Sequence, residues 1–265
     1  MILLDVIDSM SILTSLLFFS VGSYFDLKSR EVSDRVWMVY APIAVALTAF
    51  RLVLEPSTLL LTAISGVFTF LVAFGMFYFG MFGGADAKAM FCLGASIPLV
   101  PGAYQTVIGF AYPFFPIVVM VTSYFCSASI ILWVGFHNVL YNFRSKGQLF
   151  SGLHDESRAK KILAFITGYP TEQARLRSIF YLYPMEEVIQ TATGARRSLR
   201  AYVSAEEDRD ESVRKLTSQL DQIGYRGDVW VTPGLPHLVF LLIGLIVSLT
   251  LGDPIFGTIV KLAAR

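Results

Sequence analysis

The sequence predicts a polytopic α-helical membrane protein, with six transmembrane helices and a small α+β cytoplasmic domain inserted before the last of them. Three observations predict this. Hydrophobic residues make up 55% of the chain and charged residues 15%, far more apolar than a soluble domain. The apolar residues form runs long enough to cross a bilayer. Charge is concentrated in one stretch between the fifth and sixth runs. The formal charge of +1 says little, because the placement of charges matters more than their sum; the expected partner is a lipid bilayer, and nucleic acid is not expected.

The first span runs from about Val6 to Phe25, with Asp5 and Asp8 at its start and a basic turn, Lys28, Arg30 and Arg35, after it. With no basic leader and no small-residue cleavage site, it reads as a retained span. The second runs from Val36 to Leu54, with Trp37 and Tyr40 at a boundary that aromatic side chains prefer, and ends at the turn Glu55-Pro56-Ser57. The third, Leu59 to Phe82, carries Gly66, Gly75 and Gly80, which are expected to mark close packing against a neighbour.

A fourth span is short. It starts at Asp86 and passes through Met90, Cys92, Gly94, Ala95 and Ser96 to the break at Pro98 and Pro101-Gly102; its small residues place it inside the bundle. Pro113 and Pro116 open a fifth, continuing to Asn142. The sixth runs from Leu238 to Ile259, with Pro236 set for its first turn. The expected division is therefore 1–143 for helices one to five, 144–234 for the soluble domain, and 235–265 for the last helix and tail.

Within 144–234 the apolar clusters Ile162–Ile166 and Ile179–Tyr183 are too short to cross a membrane. Val213, Leu216, Leu220 and Ile223 recur at helical spacing and predict a helix from Glu211 to Ile223. Ser198–Val203 and Asp228–Val231 read as strands, and Glu206–Glu211 as a solvated loop and helix start. Cys92 and Cys126 lie in apolar segments, which leaves no disulfide framework or zinc motif; no cofactor is expected.

Charge placement orients the chain. With six spans and the N-terminus outside, 18 of the 21 lysines and arginines fall on the inner side, as the positive-inside rule requires. Span one then ends, and span four begins, at the same face. That brings together the only two acids at such boundaries, Asp26 and Asp86. An ionisable group in a membrane helix is a functional candidate, and two adjacent carboxyls sharing a proton can act as base on a water and acid on a carbonyl. Gly83, Gly84 and Ala85 would let a substrate strand approach and the chain reverse. Lys88 is two positions from Asp86 and shares no helix face with it, so it is expected to reach for headgroups. Glu31 and Asp34 read as exposed loop charges. Asp253 lies at the opposite face. His137, His154 and His237 show no ligand spacing and read as boundary or surface residues.

Gly83-Gly84-Ala85-Asp86-Ala87-Lys88, with Asp26 ending the first span, resembles the G-x-G-D aspartyl membrane peptidases, in particular the archaeal preflagellin and prepilin peptidases. The resemblance covers most of the chain, including the polar insert and Trp230-Val231-Thr232-Pro233 before the last span. It implies Asp26 and Asp86 as the catalytic pair. It also implies cleavage of short class III signal peptides, at the cytoplasmic face, from pilin-like or archaellin precursors that carry a basic leader and an apolar helix. Ala85 replaces the glycine before the aspartate, a change of one methyl. The cysteine-rich region that accompanies N-methyltransferase activity in bacterial prepilin peptidases is missing, which implies a peptidase without methylation or zinc. Two other classes could use the same acids. A proton-coupled transporter would need the repeat halves and broken helices that this chain lacks. A presenilin or signal-peptide-peptidase type protease would need a Tyr-Asp pair, but Phe25 separates Tyr24 from Asp26, and no Pro-Ala-Leu motif occurs.

Overall fold

The computed structural model describes residues 2–102, 106–191, 194–200 and 208–263. The chain forms two compact units: Met1–Ser127 with Pro236–Arg265, and Ala128–Leu235.

The first unit is helical. Its helices are α1 (Ile2–Ser29), α2 (Asp34–Leu54), α3 (Leu59–Tyr78), α4 (Gly84–Ser96), α5 (Phe115–Ser127), α10 (His237–Thr250) and α11 (Phe256–Ala263). Among the described residues, four stretches are long and apolar enough to cross a membrane: Ile2–Ser29, Asp34–Leu54, Pro56–Tyr78 and Phe115–Arg144, the last of which takes in α5 and continues beyond the first unit. The predicted fourth and sixth spans are shorter helices. The 13 residues of α4 rise only about 20 Å, less than a hydrocarbon core of about 30 Å. The α4 helix packs mainly on α2 and α3, and α10 packs mainly on α5 and α1. As expected from its small residues, α4 is largely inside, with Ala87, Ala89, Met90, Cys92, Leu93, Gly94 and Ser96 buried. The region of the sixth span is two helices, because Gly252 adopts φ +97° and the buried Asp253 caps α11 by accepting from the amides of Ile255 and Phe256.

Apolar solvent leaves polar groups no partner but each other, and the first unit is tied accordingly. The Tyr40 hydroxyl donates to Ser15 Oγ at 2.7 Å and Ser15 Oγ to Ser96 Oγ at 3.2 Å. Thr48 donates to the Ala95 carbonyl at 2.6 Å. Arg51 Nε donates to Asp8 Oδ1 at 2.9 Å, joining the end of α2 to the start of α1.

The glycines of the third span behave differently from expectation. A Cβ at Gly66 would only brush the Gly94 carbonyl at 4.0 Å, and one at Gly75 would meet nothing within 4 Å. Gly80 serves the turn after α3 with φ +69°. The close approaches are at Gly94, whose added Cβ would lie 3.0 Å from Thr69, and at Gly244, 2.6 Å from the Val119 carbonyl oxygen.

The second unit comprises α6 (Ser129–Arg144), α7 (Arg158–Thr167), β1 (Tyr169–Thr171), α8 (Gln173–Ser178), β2 (Leu182–Pro184), β3 (Glu186–Thr191), β4 (Gly194–Leu199), α9 (Arg209–Gln222) and β5 (Val229–Pro233). The predicted helix and second strand are present as α9 and β5. The first predicted strand, Ser198–Val203, overlaps the end of β4; 201–203 lie outside the described residues, as do Glu206 and Glu207. Asp208 caps α9 through the amides of Asp210 and Glu211.

One antiparallel sheet has the order β1-β5-β2, and β3-β4 is a separate hairpin. Side chains alternate across β5. Val229 and Val231 join Leu176, Leu182, Val213, Leu216 and Leu220 in one core, while Trp230 joins Leu153, Ala164, Met185 and Leu199 in another. Glu186 and Arg197, both buried, meet through two hydrogen bonds of 2.7 Å, and Glu186 also accepts from the Trp230 amide at 2.7 Å.

Candidate active site

Asp26 lies in the last turn and a half of α1, and Asp86 is the third residue of α4. Ser23 and Asp26 are three apart and share a helix face, and that face receives the start of α10. The Ser23 hydroxyl donates to the Leu238 carbonyl at 3.0 Å, and the Leu238 amide donates to Asp26 Oδ2 at 3.2 Å. Gly22 makes the approach possible, since a Cβ there would lie 3.2 Å from Trp37 and 3.5 Å from Leu238.

On the other oxygen of Asp26, the Arg30 guanidinium stands 3.7 Å from Oδ1. Arg30 reaches back because it follows the last helical residue with φ +59°, a left-handed conformation uncommon for a residue with a Cβ. Its amide donates to the Asp26 carbonyl at 3.1 Å.

Asp86 folds back on its own helix start: the Gly83 amide donates to Asp86 Oδ2 at 3.0 Å. This N-terminal position suits a carboxylate, because the first amides of a helix lack intrahelical acceptors. Gly83 is needed for space: its φ of −71° is ordinary, but a Cβ would stand 3.3 Å from Asp86 Oδ2. At Gly84 an added Cβ would make only ordinary contact with Phe77, at 3.9 Å. The chain reversal expected of these two glycines is made instead by Gly80. Ala85 packs against the main core of the unit, so the extra methyl is accommodated.

The residue that sequence reasoning missed is His237. Read as a boundary or surface histidine, it is the first residue of α10, and its Nδ1 stands 3.6 Å from Asp86 Oδ1. Its ring packs against Phe82 at 5.1 Å and Tyr124 at 5.0 Å, and those two rings stack on each other. Consecutive residues of α10 thus address both acids, His237 with its side chain and Leu238 with its amide. The side chains of Asp26 and Asp86 are only 13% and 14% exposed.

The remaining candidates stand apart from this cluster. Lys88 makes no contact with Asp86; its Nζ pairs with Asp34 Oδ1 at 2.6 Å, so Asp34 is exposed as expected yet holds a partner. His154 is exposed, and His137 packs against Trp133 and Tyr169 in the second unit. The polar signal that could have marked His237 is its place between Pro236 and an otherwise apolar helix.

Residues 12–143 match the Type IV leader peptidase family, and residues 160–254 match Archaeal Peptidase A24 C-terminus Type II. A preflagellin peptidase of Methanocaldococcus jannaschii is 27% identical over 244 residues, covering 89% of this chain and 92% of the relative. Preflagellin peptidases of Methanococcus maripaludis and Methanococcus voltae are 25% and 24% identical, with 91% of this chain covered in each case and 94% and 95% of the relatives. Both aspartates fall inside the first matched region. Two matches to one peptidase group, end to end along most of the sequence, and four apolar helices make this chain a membrane protein that belongs to the type IV leader peptidase family, a peptidase of the aspartic type.

Proposed function

We propose that the chain is a membrane-embedded endopeptidase that removes short basic leaders from archaellin or type IV pilin-like precursors, using Asp26 and Asp86 as its catalytic pair. The observation that carries the reading is the convergence of two little-exposed carboxyls, from α1 and α4, on the first two residues of α10. Neighbouring carboxyls cannot both carry charge cheaply, so the pair shares a proton. The ionised partner takes a proton from water as it attacks the scissile carbonyl, and the protonated partner gives one to the carbonyl oxygen. Collapse of the tetrahedral intermediate then returns a proton to the leaving amine.

In this reading six segments cross or enter the cytoplasmic membrane, with both termini outside and the acids at the cytoplasmic face. Residues 144–234 form the soluble cytoplasmic domain. The relatives' name, preflagellin peptidase, supports the substrate class, and the basic turn at Lys28, Arg30 and Arg35 supports the orientation.

The test is to incubate membranes containing the chain with a precursor that carries a basic leader before an apolar helix, and to locate the cut by product mass. A single cut at the leader boundary is expected. No cut across several such precursors, or a cut inside the apolar helix, would overturn the reading.

A further inference from the structure

We infer that His237 is a positioning residue of the reaction: its imidazole donates a hydrogen bond from Nδ1 to Oδ1 of Asp86 and so fixes the plane of that carboxyl. The inference rests on the Asp26/Asp86 reading above and adds a third side chain to it.

The geometry is specific at each of the four carboxyl oxygens. Asp26 is held at Oδ2 by the Leu238 amide and faced at Oδ1 by Arg30. Asp86 is held at Oδ2 by the Gly83 amide and faced at Oδ1 by His237. Without His237, Asp86 keeps one fixed oxygen and can swing about it. With His237, both of its oxygens are addressed and the plane of the carboxyl is determined.

The imidazole is poorly explained as a packing element alone. Both of its ring nitrogens are buried and have no hydrogen-bond partner among the described residues. A phenyl ring would fill the same space against Phe82 and Tyr124 with no polar atom to cover. At 3.6 Å, Nδ1 is a few tenths of an ångström beyond hydrogen-bond length from Asp86, and catalytic hydrogen bonds commonly tighten only when substrate is bound. Placement at the head of α10 gives the contact a further consequence. Because Leu238 binds Asp26, any shift of this helical turn moves the anchors of both acids together.

The test uses the full chain in membranes and a precursor with a basic leader, comparing His237→Phe, His237→Gln and Asp86→Asn. His237→Phe, which keeps the ring packing, is expected to lower kcat at least tenfold with KM little changed. His237→Gln, which keeps an N–H donor of similar reach, should recover most of that loss. Wild-type activity in His237→Phe, equal losses in both variants, or a loss confined to KM would overturn the inference. If Asp86→Asn still cleaves, the catalytic pair itself fails; if it is inactive while His237→Phe is fully active, only the role of His237 fails. A second measurement needs no change at position 237. In the full chain labelled with 15N-histidine and saturated with a non-cleavable leader-bearing peptide, one imidazole should show a hydrogen-bonded Nδ1–H that is lost in Asp86→Ala, and absence of any such signal would refute the contact.

Discussion

Replacing Gly244 by alanine tests whether helix packing sets the geometry of the acids. An added Cβ would lie 2.6 Å from the Val119 carbonyl oxygen, 2.9 Å from the Ser123 amide nitrogen and 3.0 Å from Ser123 Cβ. Ordinary contact begins at 3.4 Å, so α10 and α5 must part by about 0.8 Å. The first two obstacles are backbone atoms of a helix, which cannot rotate away as a flexible side chain could. Overpacking of this kind costs about 1–3 kcal/mol. The functional cost should be larger in proportion. His237 begins α10 and packs on Tyr124 of α5, so the displacement separates groups at the site, and a misplacement of about 1 Å can reduce turnover about 100-fold.

The control is Gly75→Ala, in the last turn of α3, where an added Cβ meets nothing within 4 Å. Alanine there should be neutral or stabilising by about 0.5–1 kcal/mol through helix propensity. Thermal unfolding in detergent and precursor cleavage would be measured for both. Equal stability and activity in Gly244→Ala and wild type, or equal damage in the two variants, would refute the reasoning.

Other predictions follow from single contacts. Gly83→Ala should reduce cleavage several-fold by crowding Asp86 Oδ2, whereas Gly84→Ala should be near wild type in the same assay. Glu186→Ala removes the carboxylate that pairs with the buried Arg197 and accepts from the Trp230 amide, leaving Arg197 to backbone carbonyls, and should destabilise the second unit by about 3–5 kcal/mol, measured by hydrogen exchange; replacing Glu186 and Arg197 together by methionine should cost far less. Burial raises the pKa of Glu156, but hydrogen bonds with Ser198 and Lys160 and the Lys160 charge outweigh it, leaving the carboxyl below its usual 4.5. Its stabilisation is therefore complete above that value and is lost as pH falls through the lower folded one. Thermal unfolding of the full chain at acid pH should accordingly show a shallower decline in Glu156→Gln.

The pairing of Asp26 and Asp86 was proposed from a local signal, since each acid borders an apolar run, and in the structure both meet the first two residues of α10. The burial of α4 followed from its small residues in the same way. What escaped prediction depends on contacts distant in sequence or on backbone conformation. His237 is 151 positions from Asp86 in the chain, and no spacing rule links them. The reach of Arg30 to Asp26 depends on a left-handed φ that glycine or asparagine would normally signal. The glycines misled because a glycine in a lipid helix marks a close approach only where a neighbour is present: Gly244 has one and Gly75 does not. In the second unit, the predicted helix and strand were recovered because their apolar periodicity matches the faces they bury.

The most direct test of the central claim is cleavage of a leader-bearing precursor by Asp26→Asn and Asp86→Asn, at matched protein levels and with folding checked by thermal unfolding. Each substitution preserves shape and removes the ionisable group, so the account predicts loss of processing by at least about 100-fold in either variant alone, consistent with the 10²–10⁴-fold contribution of a positioned acid or base. Substantial cleavage by either folded variant would contradict it.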